Sequence, residues 1–198
     1  PLERAIERRL SEGAAVTDPG CFGRRTDLSG LARLYERTLC RLAGGRVTLP
    51  LSVQSDDPQI TRLFERVASA LGCTLDGELR LLFSKGGRRF SLVDPQIGPL
   101  SDERLFLLCA RLALRAGGRL AVPCDASPRL ESLAEEMGGE LLRYHTCPAD
   151  ESDRQARGTA LASPWVRDGV MRAAMLLGAL GEGHTLAELL RPVPRMAS

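Results

Sequence analysis

The sequence predicts an α/β fold with mixed, mainly parallel sheets, and three observations support this class. Helical and strand-like patterns alternate along the 198 residues. Residues 79–83 and 90–94 are short apolar runs around a polar tip, where Gly86 and Gly87 can adopt the positive φ of a hairpin. Residues 119–145 follow a strand–helix–strand pattern, which favours a right-handed crossover between parallel strands.

The first elements are two helices joined by a loop. Residues 2–10 predict a short amphipathic helix, and residues 12–30, which contain Gly, Pro and Asp, predict a loop. Residues 31–42 predict a second helix. Its expected apolar stripe consists of Leu31, Leu34, Leu39 and Leu42.

A strand and a third helix precede the hairpin. Residues 46–53 alternate like a strand, in which Pro50 indicates an edge position or a strand end. Residues 58–71 predict a helix that has Pro58 in its first turn and ends at Gly72.

The elements after the hairpin are mostly helical. Ser101 is a candidate N-cap for a helix that reaches about residue 115. A strand at 119–123, a helix at 128–137 and a strand at 140–145 follow. Residues 150–163 are polar and give no clear pattern. The last predicted helices cover 167–180 and 185–190.

Composition excludes several classes of function. Lys and Arg number 27 against 25 Asp and Glu, and they are spread along the chain, so the charge indicates no nucleic-acid partner. There is no run of about 18 apolar residues and no targeting pattern, which predicts no membrane partner and a cytoplasmic location. The start at Pro1, without methionine, suggests a processed product or a piece of a longer chain.

The cysteines predict no metal site. Six of them are scattered without a C-x-x-C pair, and only His145 and His184 could join them as ligands. We therefore expect small core residues in a reducing compartment, with no metal and no cofactor.

The hairpin tip carries a family resemblance. The segment F-S-K-G-G-R-R-F-S-L-V-D at residues 83–94 resembles the metal-binding loop of the phosphohexomutases (phosphoglucomutase and phosphomannomutase). That loop is typically F-D-G-D-x-D-R, followed by an apolar strand that ends in V-D. In this alignment the three metal-ligand aspartates fall on Ser84, Gly86 and Arg88, so all three carboxylates are missing.

These substitutions change what the loop can bind. Mg²⁺ prefers oxygen ligands that include carboxylates. A fixed cation about 5 Å from Mg²⁺ costs roughly 6 kcal/mol at an effective dielectric constant of about 20, so this basic loop should repel a divalent metal. A phosphate would suit it better. The alternative is a solvated basic turn that binds nothing. The candidate phosphate-binding residues are Lys85, Arg88, Arg89 and Arg167.

The resemblance continues beyond the loop. Residues 119–144 look like the family's third domain, with a helix ending E-E-x-G-G and a strand ending in Arg. Residues 167–190 resemble the R-D-G helix and x-L-x-E-L-L signature that close that domain. Residues 2–75 look like a shortened second domain. The resemblance therefore implies two similar α/β/α layers, with domain II-like residues at 1–76 and domain III-like residues at 77–198.

Other catalytic parts of the family are absent from this sequence. The resemblance implies a first domain with a phosphoserine and a fourth that grips the substrate phosphate, but no T-A-S-H-N-P-type loop occurs here. T-A-L-A-S-P-W-V replaces the sugar-binding G-E-x-S-G loop between Gly158 and Arg167. Cys147 replaces the glycine that follows R-x-x-V. Together with the missing aspartates, these changes remove the parts that phosphoryl transfer requires.

Some positions keep a structural or cationic character. Asp168 is expected to be a helix N-cap, and Arg167 either forms a salt bridge or faces a phosphate. Arg143 and His145 end a strand, where ligand contacts gather in open α/β sheets. Trp165 is expected to pack in the core rather than stack on a sugar.

Three functions remain open at this point. The favoured one is a catalytically inactive, structural or regulatory module that self-associates or packs with other domains; the resemblance implies that such regions occur behind domains of the mannose-1-phosphate guanylyltransferase type. The second is binding of a phosphosugar or sugar nucleotide without turnover. The third is a fragment of an active mutase. A dinucleotide-binding enzyme is disfavoured because no G-x-G-x-x-G follows a strand.

Overall fold

The computed structural model describes residues 2–13, 29–147, 149–191 and 193. Two compact units divide the chain at residues 32 and 33. The first contains helix α1 (Leu2–Ser11) and the start of α2 (Ser29–Leu42). Both predicted helices are confirmed, but most of the predicted loop between them lies outside the described residues.

The second unit contains the rest of α2, followed by a mixed four-stranded sheet in the order β1-β2-β3-β4. Its strands are β1 (Pro50–Ser55), β2 (Thr74–Phe83), β3 (Phe90–Asp94) and β4 (Gly98–Leu100). β1 is parallel to β2, and the other two pairs are antiparallel. Helix α3 (Pro58–Leu71) is the crossover between β1 and β2. The predicted hairpin is confirmed, whereas the short strand β4 was not predicted.

A two-stranded parallel sheet follows. Helix α4 (Asp102–Gly117) leads into β5 (Arg119–Pro123), helix α5 (Arg129–Glu136) and β6 (Glu140–Tyr144). Pairing of β5 with β6 is parallel, as the strand–helix–strand pattern predicted. The chain then forms α6 (Glu151–Leu161), a 3₁₀ turn (Pro164–Arg167), α7 (Gly169–Gly181) and α8 (Leu186–Leu190).

Local signals explain the boundaries of α3. The side chain of Asp57 accepts a hydrogen bond from the backbone N–H of Gln59 at 3.0 Å, and Pro58 occupies the first turn. Gly72 ends the helix with a φ of 102°. Pro50 opens β1, which lies at the edge of the sheet, so the predicted edge position or strand end is confirmed, but the strand covers Pro50–Ser55 and not residues 46–53.

One core connects the two sheets of the second unit. It includes residues of β1 to β3, of β5 and of the helices that pack on them, among them α3, α4 and α7. Three aromatic rings mark its centre below the hairpin: the ring centroids of Phe64 and Phe83 are 4.9 Å apart, and those of Phe83 and Phe90 are 5.4 Å apart. The hairpin is therefore anchored in the core.

The structure differs from the sequence-based expectations at helices α2 and α6. The predicted apolar stripe of α2 is wrong at three of its four positions: Leu39 is buried, but Leu31 and Leu34 are more than half exposed and Leu42 is 39% exposed, because the helix turns Tyr35 and Leu39 inward. Residues 150–163, which gave no pattern, contain the helix α6.

The predicted boundary between residues 76 and 77 falls inside strand β2, which pairs with β1 on one side and β3 on the other. The division into two family domains stays a prediction. None of the helices in the described ranges is long and apolar enough to cross a membrane.

Candidate functional site

The tip of the hairpin between β2 and β3 is a tight, internally bonded turn. The backbone N–H of Ser84 donates to the carbonyl of Arg89 at 3.1 Å, and the Ser84 hydroxyl accepts from the N–H of Arg89 at 3.0 Å. Gly86 and Gly87 have φ values of 75° and 69°, so the positive φ predicted for this pair is confirmed. The loop backbone is thus held by its own hydrogen bonds.

The tip lies against the first turn of α7. A Cβ atom on Gly87 would be 2.7 Å from Cγ2 of Val170. One on Gly169 would be 2.7 Å from the carbonyl carbon of Arg89 and 2.8 Å from the carbonyl oxygen of Gly87. Only glycines allow this approach, which places the R-D-G turn at residues 167–169 directly beside the basic loop.

Arg172 holds the two segments together from inside. This arginine is buried in α7, and its Nη2 donates to the carbonyl of Arg88 at 3.0 Å. Its Nη1 donates to the carbonyls of Trp165 and Val166 at 3.1 and 3.2 Å. A charged donor with several backbone acceptors is an effective clamp. The loop and the 3₁₀ turn therefore share one guanidinium group.

Asp102 balances the charge of Arg172. The Oδ1 atom of Asp102 accepts from Nη2 of Arg172 at 2.6 Å and from the backbone N–H of Phe90 at 2.8 Å. The Asp102 side chain is 31% exposed, whereas that of Arg172 is 3% exposed. The guanidinium also lies 5.4 Å from the ring centroid of Phe106. The carboxylate at the end of β3, Asp94, is used elsewhere, because its Oδ1 accepts from the backbone N–H groups of the next turn.

Arg172 was not predicted from the sequence as a residue of this site. A signal was present, since this arginine interrupts the otherwise apolar run of α7, but its partner Asp102 lies 70 positions earlier. Asp102 was interpreted only as a first-turn acid of α4, which it also is.

The predicted phosphate-binding residues lie on the two segments that Arg172 joins. Their side chains are all exposed: Lys85, Arg88, Arg89 and Arg167. At the three positions that the resemblance aligns with metal ligands, the Ser84 hydroxyl accepts a hydrogen bond within the turn, Gly86 has no side chain, and the Arg88 carbonyl accepts from Arg172. Among the described residues, no group of three or more His, Cys, Asp or Glu side chains could hold a metal ion. Anion binding by the four cations stays a prediction.

Asp168 is the N-cap of α7, as predicted. Its Oδ1 accepts from the backbone N–H groups of Val170 and Met171 at 2.9 and 3.0 Å. Its Oδ2 accepts from the hydroxyl of Tyr35 in α2 at 2.6 Å. Burial, and then the hydrogen bond to this carboxylate, raises the pKa of Tyr35. Tyr35 therefore stays protonated as a donor.

Arg143 has a structural role in this arrangement. Its Nε and Nη2 donate to the two carboxylate oxygens of Glu131 at 2.6 and 3.0 Å, which lowers the pKa of that carboxyl. The remaining donors bind the carbonyls of Pro123, Cys124, Ala126 and Ser127. The side chain thus holds the turn between β5 and α5 in place.

His145, which directly follows β6, contacts an aspartate of α6. Its Nδ1 lies 3.0 Å from Oδ2 of Asp153, a nearly buried carboxylate. The backbone N–H of Ala149 donates to the same carboxylate, and this bond is the main reason that the pKa of Asp153 is lowered. The His145 ring is still mostly exposed. Trp165 is buried against Phe106, with ring centroids 5.7 Å apart, which confirms its predicted packing role.

A groove of about 620 Å³ opens between the end of β6, α6 and the 3₁₀ turn. Three arginines line it: Arg154, Arg157 and Arg167. The guanidinium of Arg167 lies 5.2 Å from the ring centroid of Tyr144, and Arg157 donates to the carbonyl of Thr146 at 2.6 Å. The wall is otherwise mainly apolar, with Leu161 strongly exposed. Arg167 therefore lines this groove, two residues before the Gly169 that packs against the basic loop.

Comparison with known proteins supports the resemblance. No protein-family model matches the chain. The sequence is 33% identical over 107 residues to a probable phosphoglucosamine mutase from Methanopyrus kandleri, a match that covers 47% of this chain and 24% of that protein. The fold matches the crystal structure of a phosphoglucomutase/phosphomannomutase family protein from Burkholderia thailandensis, with a TM-score of 0.67 and 19% identity, over 98% of this chain and 52% of that one. The chain therefore has the α/β fold of a phosphohexomutase and resembles that family over part of the length of its enzymes.

Proposed function

We propose that this chain is a catalytically inactive phosphohexomutase-like module with a structural or regulatory role. It would belong to a sugar-nucleotide biosynthetic protein of the mannose-1-phosphate guanylyltransferase type, and it would self-associate or pack with further domains. The observation that carries the proposal is the loop at residues 84–89, which connects β2 and β3 and has a basic composition where the resemblance would align three metal-binding aspartates.

Two features of the loop argue against a magnesium ion there. The side chains at the three former ligand positions supply one hydroxyl, which is already bonded to the N–H of Arg89, and one guanidinium. A second guanidinium, that of Arg172, lies against the Arg88 carbonyl, and the neighbouring Asp102 is bound to it. A hard divalent cation would face positive charge and few oxygen ligands.

A turnover assay tests the inactivity. The purified chain is given glucose-1-phosphate or mannose-1-phosphate with Mg²⁺, Mn²⁺ or Zn²⁺, and formation of the 6-phosphate is followed by ³¹P NMR. We expect no conversion above the background without protein. Turnover that survives repurification and requires a divalent metal would overturn the proposal and support the third function, a fragment of an active mutase.

A second candidate function is non-catalytic binding of a phosphosugar or sugar nucleotide. The specific observation in its favour is the cluster of exposed cations on two adjoining segments, with Arg167 reaching the groove beside Tyr144. Arginine and backbone amides are suited to a phosphate, and the apolar wall would suit a base or a sugar face.

Calorimetry separates the two candidates. The chain is titrated with mannose-1-phosphate and with GDP-mannose, next to the variant Arg88→Glu/Arg89→Glu and the control Arg4→Glu/Arg8→Glu, which changes the same charge on the exposed side of α1. Binding that the loop variant abolishes and the control keeps would establish this function. Absence of heat and of any thermal shift at millimolar ligand would leave the structural or regulatory module.

A further inference from the structure

A basic groove lies between α2 and α3, on a different part of the second unit from the loop. It has a volume of about 500 Å³. Four arginines line it: Arg33, Arg37, Arg41 and Arg66. Its only acidic lining residue is Glu36, which is bound to Arg66 through Nε at 2.8 Å. The groove is therefore strongly basic, although the chain as a whole has a net charge of only +2.

Three of the four arginines lie in a row along the axis of α2. Arg33, Arg37 and Arg41 follow one another at four-residue intervals, so they form a row about 12 Å long on one face of α2. All three are exposed, and no acidic side chain in the described part of the chain pairs with them. A row of exposed, unpaired cations of this length suits an elongated polyanion rather than a single phosphate.

The residues at the bottom of the groove, here called the floor, indicate which kind of elongated acidic partner fits. Cys40 and Ala70 supply a small apolar surface between the two helices, and Val67, which also borders the groove, is only 1% exposed. None of the residues that line the groove is aromatic, so there is no platform for stacked bases. An amphipathic helix has both features that fit, since its apolar side can cover the floor and its acidic side can meet the arginine row.

We propose that the groove between α2 and α3 is a docking site for an acidic amphipathic helix of another polypeptide. The partner would carry Asp or Glu at four-residue intervals opposite Arg33, Arg37 and Arg41, with small or branched apolar residues on the floor. This site requires no turnover and no phosphosugar, and it gives the module a means of recruiting a partner.

A charge swap between groove and probe tests this docking. The probe is a fluorescein-labelled helical peptide of about six turns, with Glu at four-residue intervals and Leu and Ala on the adjacent face. It is titrated into the full chain, into Arg37→Glu/Arg41→Glu and into the control Arg4→Glu/Arg8→Glu, and fluorescence anisotropy is measured at low and high salt. We expect the wild type and the control to bind alike, the groove variant to bind roughly tenfold more weakly, and high salt to weaken binding.

The reversed peptide, with Lys in place of Glu, gives the decisive comparison. It should prefer the groove variant over the wild type, because the sign of both partners has changed. Failure of the acidic peptide to bind, equal binding by the groove variant, or no preference of the Lys peptide would each overturn the proposal. So would tighter binding of a short single-stranded RNA or of phosphatidylserine vesicles through the same arginines. The loop variant Arg88→Glu/Arg89→Glu should bind the peptide normally, which separates this site from the phosphosugar candidate.

Discussion

Arg172 and Asp102 decide how the basic loop is held. The guanidinium is almost completely buried and has acceptors in three segments: the Arg88 carbonyl, the 3₁₀ turn and the Asp102 carboxylate. Removal of one partner from a buried ion pair is costly because the other charge stays desolvated. The geometry of the loop therefore depends on this pair as well as on its own turn.

Asp102→Asn should lower the free energy of unfolding by about 2 kcal/mol. The amide oxygen can still accept from Phe90, but the charge that balances Arg172 is lost. The matched control is Glu103→Gln in the same first turn, which loses an exposed acid and should cost less than about 1 kcal/mol. Urea denaturation of the two variants measures the difference. Equal costs would mean that Asp102 acts only as a first-turn acid.

Gly169→Ala should destabilise the protein by about 1–3 kcal/mol, because the new methyl would press on the backbone of Arg89 and Gly87. Gly158→Ala is the control: this glycine lies inside α6, and a methyl added there would meet no neighbouring side chain or segment within 4 Å, so the change should be neutral or stabilising. Urea midpoints compare them. A destabilised Gly158 variant, or an unaffected Gly169 variant, would contradict the close contact of loop and helix.

At the scale of elements, the first turn of α7 connects distant parts of the second unit. Its N-cap Asp168 bonds to two backbone N–H groups and also to Tyr35 in α2, 133 positions away. The tyrosine is held as a protonated donor, since burial and the carboxylate raise its pKa. This contact makes the attachment of α2 sensitive to alkaline pH.

Tyr35→Phe should remove a pH dependence of stability above about pH 10. Tyrosine has a pKa of about 10 in the unfolded chain. Because the folded-state pKa is higher, the stabilisation is fully present below about pH 10 and declines as the pH rises towards the folded-state value. The difference in unfolding free energy between wild type and variant should be constant from about pH 7 to 9 and shrink above about pH 10. Urea titrations in this range measure it, and a constant difference throughout would contradict the proposed bond.

The sequence predicted elements well where local chemistry sets their limits. Helix α3 has a proline at its start and a glycine at its end, and both boundaries were found at the correct residues. Helix α6 was missed because its inward face consists of little more than Ala156, Ala160 and the bonded Asp153, so no apolar period stands out. The apolar stripe predicted for α2 was wrong because most of its leucines face outward.

At the scale of the whole second unit, the two sheets share one core. Cys73 follows α3 near the first sheet, and Cys109 lies in α4 between the hairpin and the second sheet; both are buried. Burial raises the pKa of both thiols, that of Cys109 to about 12. Cys124 and Cys147 are exposed. The chain thus contains natural reporters of the unfolding of each sheet.

Thiol labelling should show that the two sheets unfold together. With iodoacetamide and peptide mass spectrometry, Cys124 and Cys147 should label in the native protein, whereas Cys73 and Cys109 should label only as the protein unfolds. Because one core serves both sheets, the two buried thiols should become reactive at the same urea concentration. Earlier labelling of Cys109 would show that the sheets unfold as separate domains.

The candidate site was only partly accessible to sequence reasoning. The hairpin, its two glycines and its basic tip follow from local patterns, as does the N-cap at Asp168. What could not be predicted is the approach of the R-D-G turn to the loop, since it depends on contacts such as that of Arg172 with Arg88, which lie 84 positions apart. The ligand contact that the strand-end position of Arg143 suggested stays a prediction, and the hydrogen bonds by which its side chain holds the turn between β5 and α5 could not be predicted from the sequence.

The buried guanidinium of Arg172 has a consequence for how the protein is handled. A loop that is held in shape by an internal organic cation needs no inorganic one to fold. Exhaustive dialysis against EDTA should therefore leave the melting curve and the circular-dichroism spectrum of the chain unchanged. Preparations made with and without divalent metal ions in the buffers should also give the same melting temperature.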